Sequence, residues 1–184
     1  DSPVYVVTTE GLMRVNGIQV QKIKTPDGVV SLAVDPTNPK TLYLGTVGYG
    51  LHRTGDGGQS WQDLNGYLGL APGVILRVPA VAIDKQNPQH LAVTTAFGVG
   101  SQVVGNGLFE SFDSGQSWTR LADLSEIVNK LSIKAGGIYA ATSNGLVQYG
   151  QPAAIAETPL QQRLESLANP TGVQWVILLR TAML

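Results

Sequence analysis

One eight-residue pattern occurs twice in this chain and limits what it can fold into. Thr54-Gly55-Asp56-Gly57-Gly58-Gln59-Ser60-Trp61 and Ser111-Phe112-Asp113-Ser114-Gly115-Gln116-Ser117-Trp118 share the form Ser/Thr-x-Asp-x-Gly-x-Ser-Trp. Each residue type has a local reason. An Asp carboxylate accepts backbone N–H groups a few residues on, a Gly supplies positive φ without a Cβ penalty, and hydroxyls close the turn. The Trp then packs its ring between neighbouring sheets and needs a partner for its N–H. Two copies in one chain predict a repeat architecture.

The glycines carry the same repeat. The chain has 22 of them in 184 residues, well above the usual ~7%. Gly-Leu opens a short apolar run at Gly11, Gly50, Gly107 and Gly145, at intervals of 39, 57 and 38. Ahead of each lies a run that reads as a strand: Val4 to Thr8, Thr41 to Gly45, His90 to Ala96 and Ile138 to Thr142. Earlier runs, Ser31 to Asp35 and Ala80 to Asp84, lead into turns at Asn38-Pro39 and Asn87-Pro88. The unit is strand, Asn-Pro turn, strand, loop, Gly-Leu strand, then the Asp-Gly turn and a fourth strand. The four repeats offer three, four, four and three strands, fourteen in all, short of the ~4–8 four-stranded blades of a closed propeller. A small ring, completion by a partner and a longer parent protein all remain compatible with that count.

The two patterns resemble the Asp-box (BNR) repeats of sialidases, sortilin-type receptors, some glycoside hydrolases and photosystem II assembly and stability factors. The resemblance covers roughly residues 3–149. It implies an all-β fold, an Asp-box β-propeller of about four blade-like repeats, small or incomplete, followed by an α-helical tail. It also implies that the box sits on the hairpin between the third and fourth strands of a blade, away from any ligand site. Asp56, Gly58, Trp61, Asp113, Gly115 and Trp118 are therefore expected to be structural. The first repeat has Val15-Asn16-Gly17-Ile18 in place of the box, and the last stops at Gln148-Tyr149-Gly150.

Composition excludes several functions. With 12 Lys and Arg against 13 Asp and Glu the formal charge is −1, and the basic residues are scattered, so nucleic acid is not an expected partner. There is no Cys and only two His, His52 and His90. Disulfides, zinc ribbons, thiol nucleophiles and His-rich metal sites are thereby excluded. No metal or other cofactor is expected. The chain starts at Asp1 without a Met or an apolar leader, which suggests a processed or trimmed chain.

The long interval points to a binding face. Its extra residues fall around Gly66 to Arg77, between blades, and around Phe97 to Gly105, in the loop between second and third strands. In an up-and-down blade both emerge on one face, opposite the Asp-box and Asn-Pro turns. Their side chains are apolar: Tyr67, Leu68, Leu70, Ile75 and Leu76, then Phe97, Val99, Val103 and Val104. We read Tyr67, Leu68, Leu70, Leu76, Arg77, Phe97, Val103 and Val104 as a protein-binding surface; the alternative is that these side chains fold back over the blade edge.

Catalytic residues are not expected. Leu76-Arg77-Val78-Pro79 resembles the Arg-Ile-Pro motif of sialidases, but it lies between the boxes instead of before the first. Only Arg120 follows it within the repeats, too few for an arginine triad. Asp35 and Asp84 occupy equivalent positions before the Asn-Pro turns, which suggests turn capping. Glu110 reads as a solvated strand residue, and the two His stand at unrelated positions.

Residues 1–150 therefore form the repeat domain, and residues 151–184 a linker with C-terminal helices. Thr158-Pro159-Leu160-Gln161 has the residues of a helix start. Trp175, Val176, Ile177, Leu178 and Leu179 form an apolar run ended by Arg180. Twelve helical residues from Val173 span ~18 Å, against ~30 Å of bilayer hydrocarbon. The run suits an interfacial helix, the start of a longer span, or a helix docked on the propeller; we expect membrane association. Together these readings predict a non-enzymatic interaction or assembly subunit of a membrane complex, outside the cytoplasm, with protein partners; that the complex is photosynthetic or respiratory is what the resemblance to photosystem assembly factors implies. The alternative is a carbohydrate-binding or glycosidase-like propeller.

Overall fold

The computed structural model describes residues 3–68, 76–99, 102–135 and 137–150. Four antiparallel sheets follow one another along the chain. The first holds β1 (Val4–Thr8), β2 (Gly11–Asn16) and β3 (Gln19–Ile23). The second holds β4 (Val29–Val34), β5 (Leu42–Thr46), β6 (Leu51–Thr54) and β7 (Gln62–Asp63), after which Asn65–Leu68 make one 3-10 turn. The third holds β8 (Leu76–Ile83), β9 (Leu91–Val99), β10 (Gln102–Ser111) and β11 (Thr119–Asp123). The fourth holds β12 (Val128–Lys134), β13 (Gly137–Thr142) and β14 (Gly145–Tyr149). Every sheet pairs its strands in chain order, the meander of a propeller blade. Among the described residues there are fourteen strands, three, four, four and three, as the repeat spacing predicts.

The alternation of apolar residues sends one face of each blade against the next. Tyr5, Val7, Leu12 and Ile23 of the first sheet meet Leu42, Leu44 and Trp61 of the second. Tyr43, Leu51 and Leu64 meet Val78, Val81, Leu91, Val93, Phe109 and Trp118. Ala82, Ala92, Leu108 and Leu124 meet Val128, Leu131, Ile133, Ile138 and Ala140. Each fully buried Leu or Val in these layers contributes about 1.5–3 kcal/mol. The innermost strands β4, β8 and β12 lie side by side, and the Ser31 hydroxyl of β4 donates to the Val78 carbonyl of β8 at 2.9 Å.

The two Asp-Gly turns are built alike. Asp56 Oδ1 accepts the N–H groups of Gln59 and Ser60, at 2.8 and 3.1 Å, and its other oxygen accepts the Ser60 hydroxyl at 2.6 Å. Asp113 Oδ1 accepts from Gln116 and Ser117 N–H at 2.9 and 2.8 Å, and Oδ2 from the Ser117 hydroxyl. Each turn is tied to the Asn-Pro turn of its own blade, Gly57 N–H to the Lys40 carbonyl and Ser114 N–H to that of Gln89. Each Gly also sits on the outer strand end of the preceding blade. Gly58 has φ +90°, and a Cβ there would lie 2.3 Å from Ile23 Cγ2; Gly115 has φ +86°, with Leu64 Cδ1 at 3.0 Å. The turns therefore staple blade to blade. The two Trp differ from the expected symmetry. Trp61 Nε1 donates to the Lys24 carbonyl at 2.8 Å, whereas Trp118 Nε1 is buried with no partner among the described residues.

The structure corrects the placement of the inserted residues. Leu76 and Arg77 belong to β8, not to a loop. The Leu76 carbonyl accepts Gly50 N–H at 3.0 Å, and a register shift between Arg77 and Ala80 accommodates Pro79, which has no N–H for the ladder. Phe97 to Val99 and Gln102 to Gly105 are likewise strand and not loop. β9 and β10 extend as a hairpin, with Phe97 opposite Val104 and Gly98 opposite Val103. β-branched and aromatic residues favour an added ladder over an apolar loop with unpaired backbone. Leu70 and the segment 151–184, with Trp175, Val176, Ile177, Leu178 and Leu179, lie outside the described residues. Among the described residues no helix is long and apolar enough to cross a membrane.

Candidate functional site

The inner strands β4, β8 and β12 all start on one face, the one from which the β9–β10 hairpin projects. There they surround a hollow of about 180 Å³ lined by Val30, Arg77, Pro79, Ala96, Val103, Ile127, Val128 and Asn129. Three blades and the hairpin contribute to it. Its walls are apolar apart from Asn129 and the half-buried Arg77. The ion pairs among the described residues involve His90 and Arg120, which leaves the Arg77 guanidinium outside them. A long cation beside an apolar hollow can grip an acidic or carbonyl group while its stem covers apolar surface.

The hairpin is held at its base. β10 shifts register between Gly105 and Gly107, so Asn106 bulges out. Its side chain donates to Thr95 Oγ1 at 2.8 Å, and its carbonyl accepts from Arg120 at 2.7 Å. At Gly105 the β10 backbone presses so closely on the β11–β12 connection that a Cβ would lie 2.6 Å from the Leu124 carbonyl oxygen. The bulge thus aims the hairpin and positions Val103 over the hollow.

The residues expected to bind a partner divide here. Arg77 and Val103 line the hollow, whereas Val104, paired with Phe97, projects from the other face of the hairpin, 39% exposed. Phe97 packs partly buried against the second core layer. Leu68 and Leu76 are buried in that layer, so their side chains fold back over the blade and hold it together. Tyr67 lies in the 3-10 turn preceding the hollow's blade.

Sequence reasoning missed a second polar cluster on the opposite face. His90 is 4% exposed. Its Nε2 lies 2.7 Å from Glu110 Oε1, its Nδ1 3.3 Å from Asp84 Oδ2, and its ring stacks on Phe112 at 4.4 Å. Glu110 is thus a bridging residue and not a solvated one. The repeat alignment held the signal: His90 follows Asp84 by six residues as Thr41 follows Asp35, so the His replaces a turn-closing Thr. Asp35 and Asp84 do cap their turns, through Thr37, Asn38 and Gln86 N–H groups. Among the described residues, no group of His, Asp and Glu has the arrangement to hold a metal ion.

Electrostatics set the charge state of the turns. The Ser117 hydroxyl, then Ser117 N–H and the Ser111 hydroxyl, hold the Asp113 carboxyl at about 2. The Ser60 and Thr54 hydroxyls lower Asp56 further still. Burial, with the nearby Glu126 charge, raises the Tyr149 phenol.

No protein-family model matches the chain, and no curated protein matches it in sequence. Solved structures of similar fold include YCF48 from Cyanidioschyzon merolae, at 14% identity and TM-score 0.53, covering 71% of this chain and 39% of that one. The GH74 xyloglucanase from Xanthomonas campestris matches at 18% identity and TM-score 0.53, covering 78% of this chain and 25% of that one. The GH74 enzyme from Niastella koreensis gives 18% and 0.54, with 78% and 22% covered. The chain thus spans about two fifths or less of the length of each. The likeness is one of fold, and the four sheets form a partial β-propeller.

Proposed function

We propose that this chain is a non-enzymatic docking module, an accessory or assembly subunit of a membrane protein complex, and that its partner seats at the hollow between β4, β8, β12 and the β9–β10 hairpin. The observation that carries this reading is the hairpin itself. The insertion between the second and third strands of the third repeat builds a projecting, bulge-anchored element, and its Val103 joins Arg77 of β8 around an apolar hollow. Apolar surface beside a cation that stands outside the ion pairs of the described residues suits a protein contact. The Asp-box resemblance supports the same class, since it includes photosystem assembly and stability factors alongside enzymes. We place the module outside the cytoplasm, held at the membrane by the run from Trp175 to Leu179; the support for this is the sequence pattern.

Catalysis has less support. Acid–base work on glycosides needs two carboxyl groups about 5–9.5 Å apart flanking a sugar site, and among the described residues no acidic side chain lines the hollow. The test is co-purification of the native membrane complex with wild type and with Arg77→Ala/Val103→Asp. The substituted protein should fold normally and lose the complex. Retention of the complex by that variant overturns the reading, as does hydrolysis of xyloglucan or sialosides by the wild type.

A further inference from the structure

The turn that replaces the Asp-box in the first repeat differs chemically from the two boxes. Val15-Asn16-Gly17-Ile18 offers no carboxylate or hydroxyl to hold its own backbone. Asn16 ends β2 and faces Gln19 at the start of β3, so Gly17 and Ile18 form a two-residue turn. Gly17 has φ +56°, which suits the first central position of a type II′ turn. Its N–H then points away from the partner strand. Asn16, Gly17 and Ile18 are all exposed, and among the described residues nothing stands within 4 Å of the place a Cβ would take at Gly17.

An Asn-Gly pair carries a latent reaction, because no Cβ crowds the glycine nitrogen. That nitrogen, once deprotonated, attacks Asn Cγ; the bond from Cγ to the side-chain nitrogen breaks, and ammonia leaves with the proton. Water then opens the cyclic imide at one carbonyl or the other, giving aspartate or its isoaspartyl isomer. One water is consumed, one ammonia is released, and nothing is oxidised or reduced.

Four Asn-Gly pairs occur in the chain, at Asn16, Asn65, Asn106 and Asn144, and the fold separates them. The Asn65 side chain accepts Leu51 N–H at 2.8 Å and donates to the Tyr49 carbonyl at 2.6 Å. Asn106 donates to Thr95 Oγ1 at 2.8 Å, and Gly107 after it is buried in the ladder. Asn144 donates to Glu126 Oε1. Each amide must break its bonds before Cγ can swing to the next nitrogen. Asn16 has no such bond among the described residues, and its rotation costs only the last rung of the β2–β3 ladder.

We propose that Asn16 is a site of self-modification, converting through the cyclic imide to aspartate and isoaspartate, and that the fold protects the other three pairs. The proposal is independent of the docking reading. Alternation along β2 puts residue 16 on the face that carries Arg14, so the aspartyl product adds a carboxylate on the side of a guanidinium. The isoaspartyl product lengthens the backbone by one methylene and disturbs the register at the turn.

The full chain, held at mildly alkaline pH in heavy-oxygen water and mapped by peptide mass spectrometry, tests this. Asn16 should take up one heavy oxygen about tenfold or more faster than Asn65, Asn106 or Asn144, and faster still as pH rises. In urea sufficient to unfold the chain the four should convert at comparable rates. Glu126→Ala should release Asn144 and bring its rate up towards that of Asn16. Equal rates at the four sites of the folded chain overturn the proposal, as does an Asn16 that stays intact while the unfolded chain converts. An Asn144 no faster in Glu126→Ala overturns protection by side-chain bonding.

Discussion

Gly58 and Gly115 carry more of this fold than their size suggests, because each combines positive φ with direct contact onto the preceding blade. The contact is tighter at Gly58, where a Cβ would meet the branched Ile23 at 2.3 Å, than at Gly115, where the end of Leu64 stands at 3.0 Å. Gly58→Ala should therefore cost about 2–4 kcal/mol and Gly115→Ala about 1–2 kcal/mol in urea unfolding. Equal losses would mean that backbone strain alone decides. The aspartates beside them give the fold an acid limit. An unfolded Asp takes up its proton near 3.8, whereas native Asp113 holds out to about 2 and Asp56 lower still. Between those values the unfolded state binds more protons, so the stability contributed by these turns is whole above about pH 4 and drains as pH falls towards 2. Asp56→Asn and Asp113→Asn should melt lower at neutral pH and show a flatter decline across that window. An unchanged slope would remove these carboxylates from the account.

At the scale of elements, strands with strong alternation and punctuated ends were legible: β1, β5, β13 and the motif hairpins stand within a residue or so of the apolar runs that predict them. The β9–β10 extension was not. Phe97 to Gly105 contains three glycines, a loop signal by composition, and only the ladder across it shows that Val103 and Val104 alternate on a strand. Leu68 and Leu76 follow the alternative left open in the sequence, folding back over the blade, since an apolar residue between blades can face either solvent or the next layer. The His90 cluster escaped because its members come from the two ends of one turn, Asp84 and His90, and from a strand, Glu110, that only the fold brings beside it. Removing the imidazole leaves two carboxylates facing one another under Phe112, so His90→Ala should cost about 2–3 kcal/mol. Thermal melts that coincide with wild type would show the cluster to be ornamental to stability.

For the whole molecule, repetition did most of the work. Four Gly-Leu pairs and two Asp-Gly turns were enough to predict three, four, four and three strands, because each repeat is one blade and each blade buries its face only against a neighbour. What binds at the resulting surface was only partly legible. Arg77 and Val103 were marked, yet the hollow between them is made by Val30, Pro79, Ala96 and Val128, ordinary strand residues that converge only when three blades stand side by side. The central claim is that a membrane-complex subunit docks at this face. A photoreactive amino acid at Val103 or, on the opposite face, at Thr37, irradiated in the native complex, tests it most directly. The account predicts adducts to a subunit of that complex from position 103 and none from position 37; adducts from position 37 alone, or from neither, would contradict it.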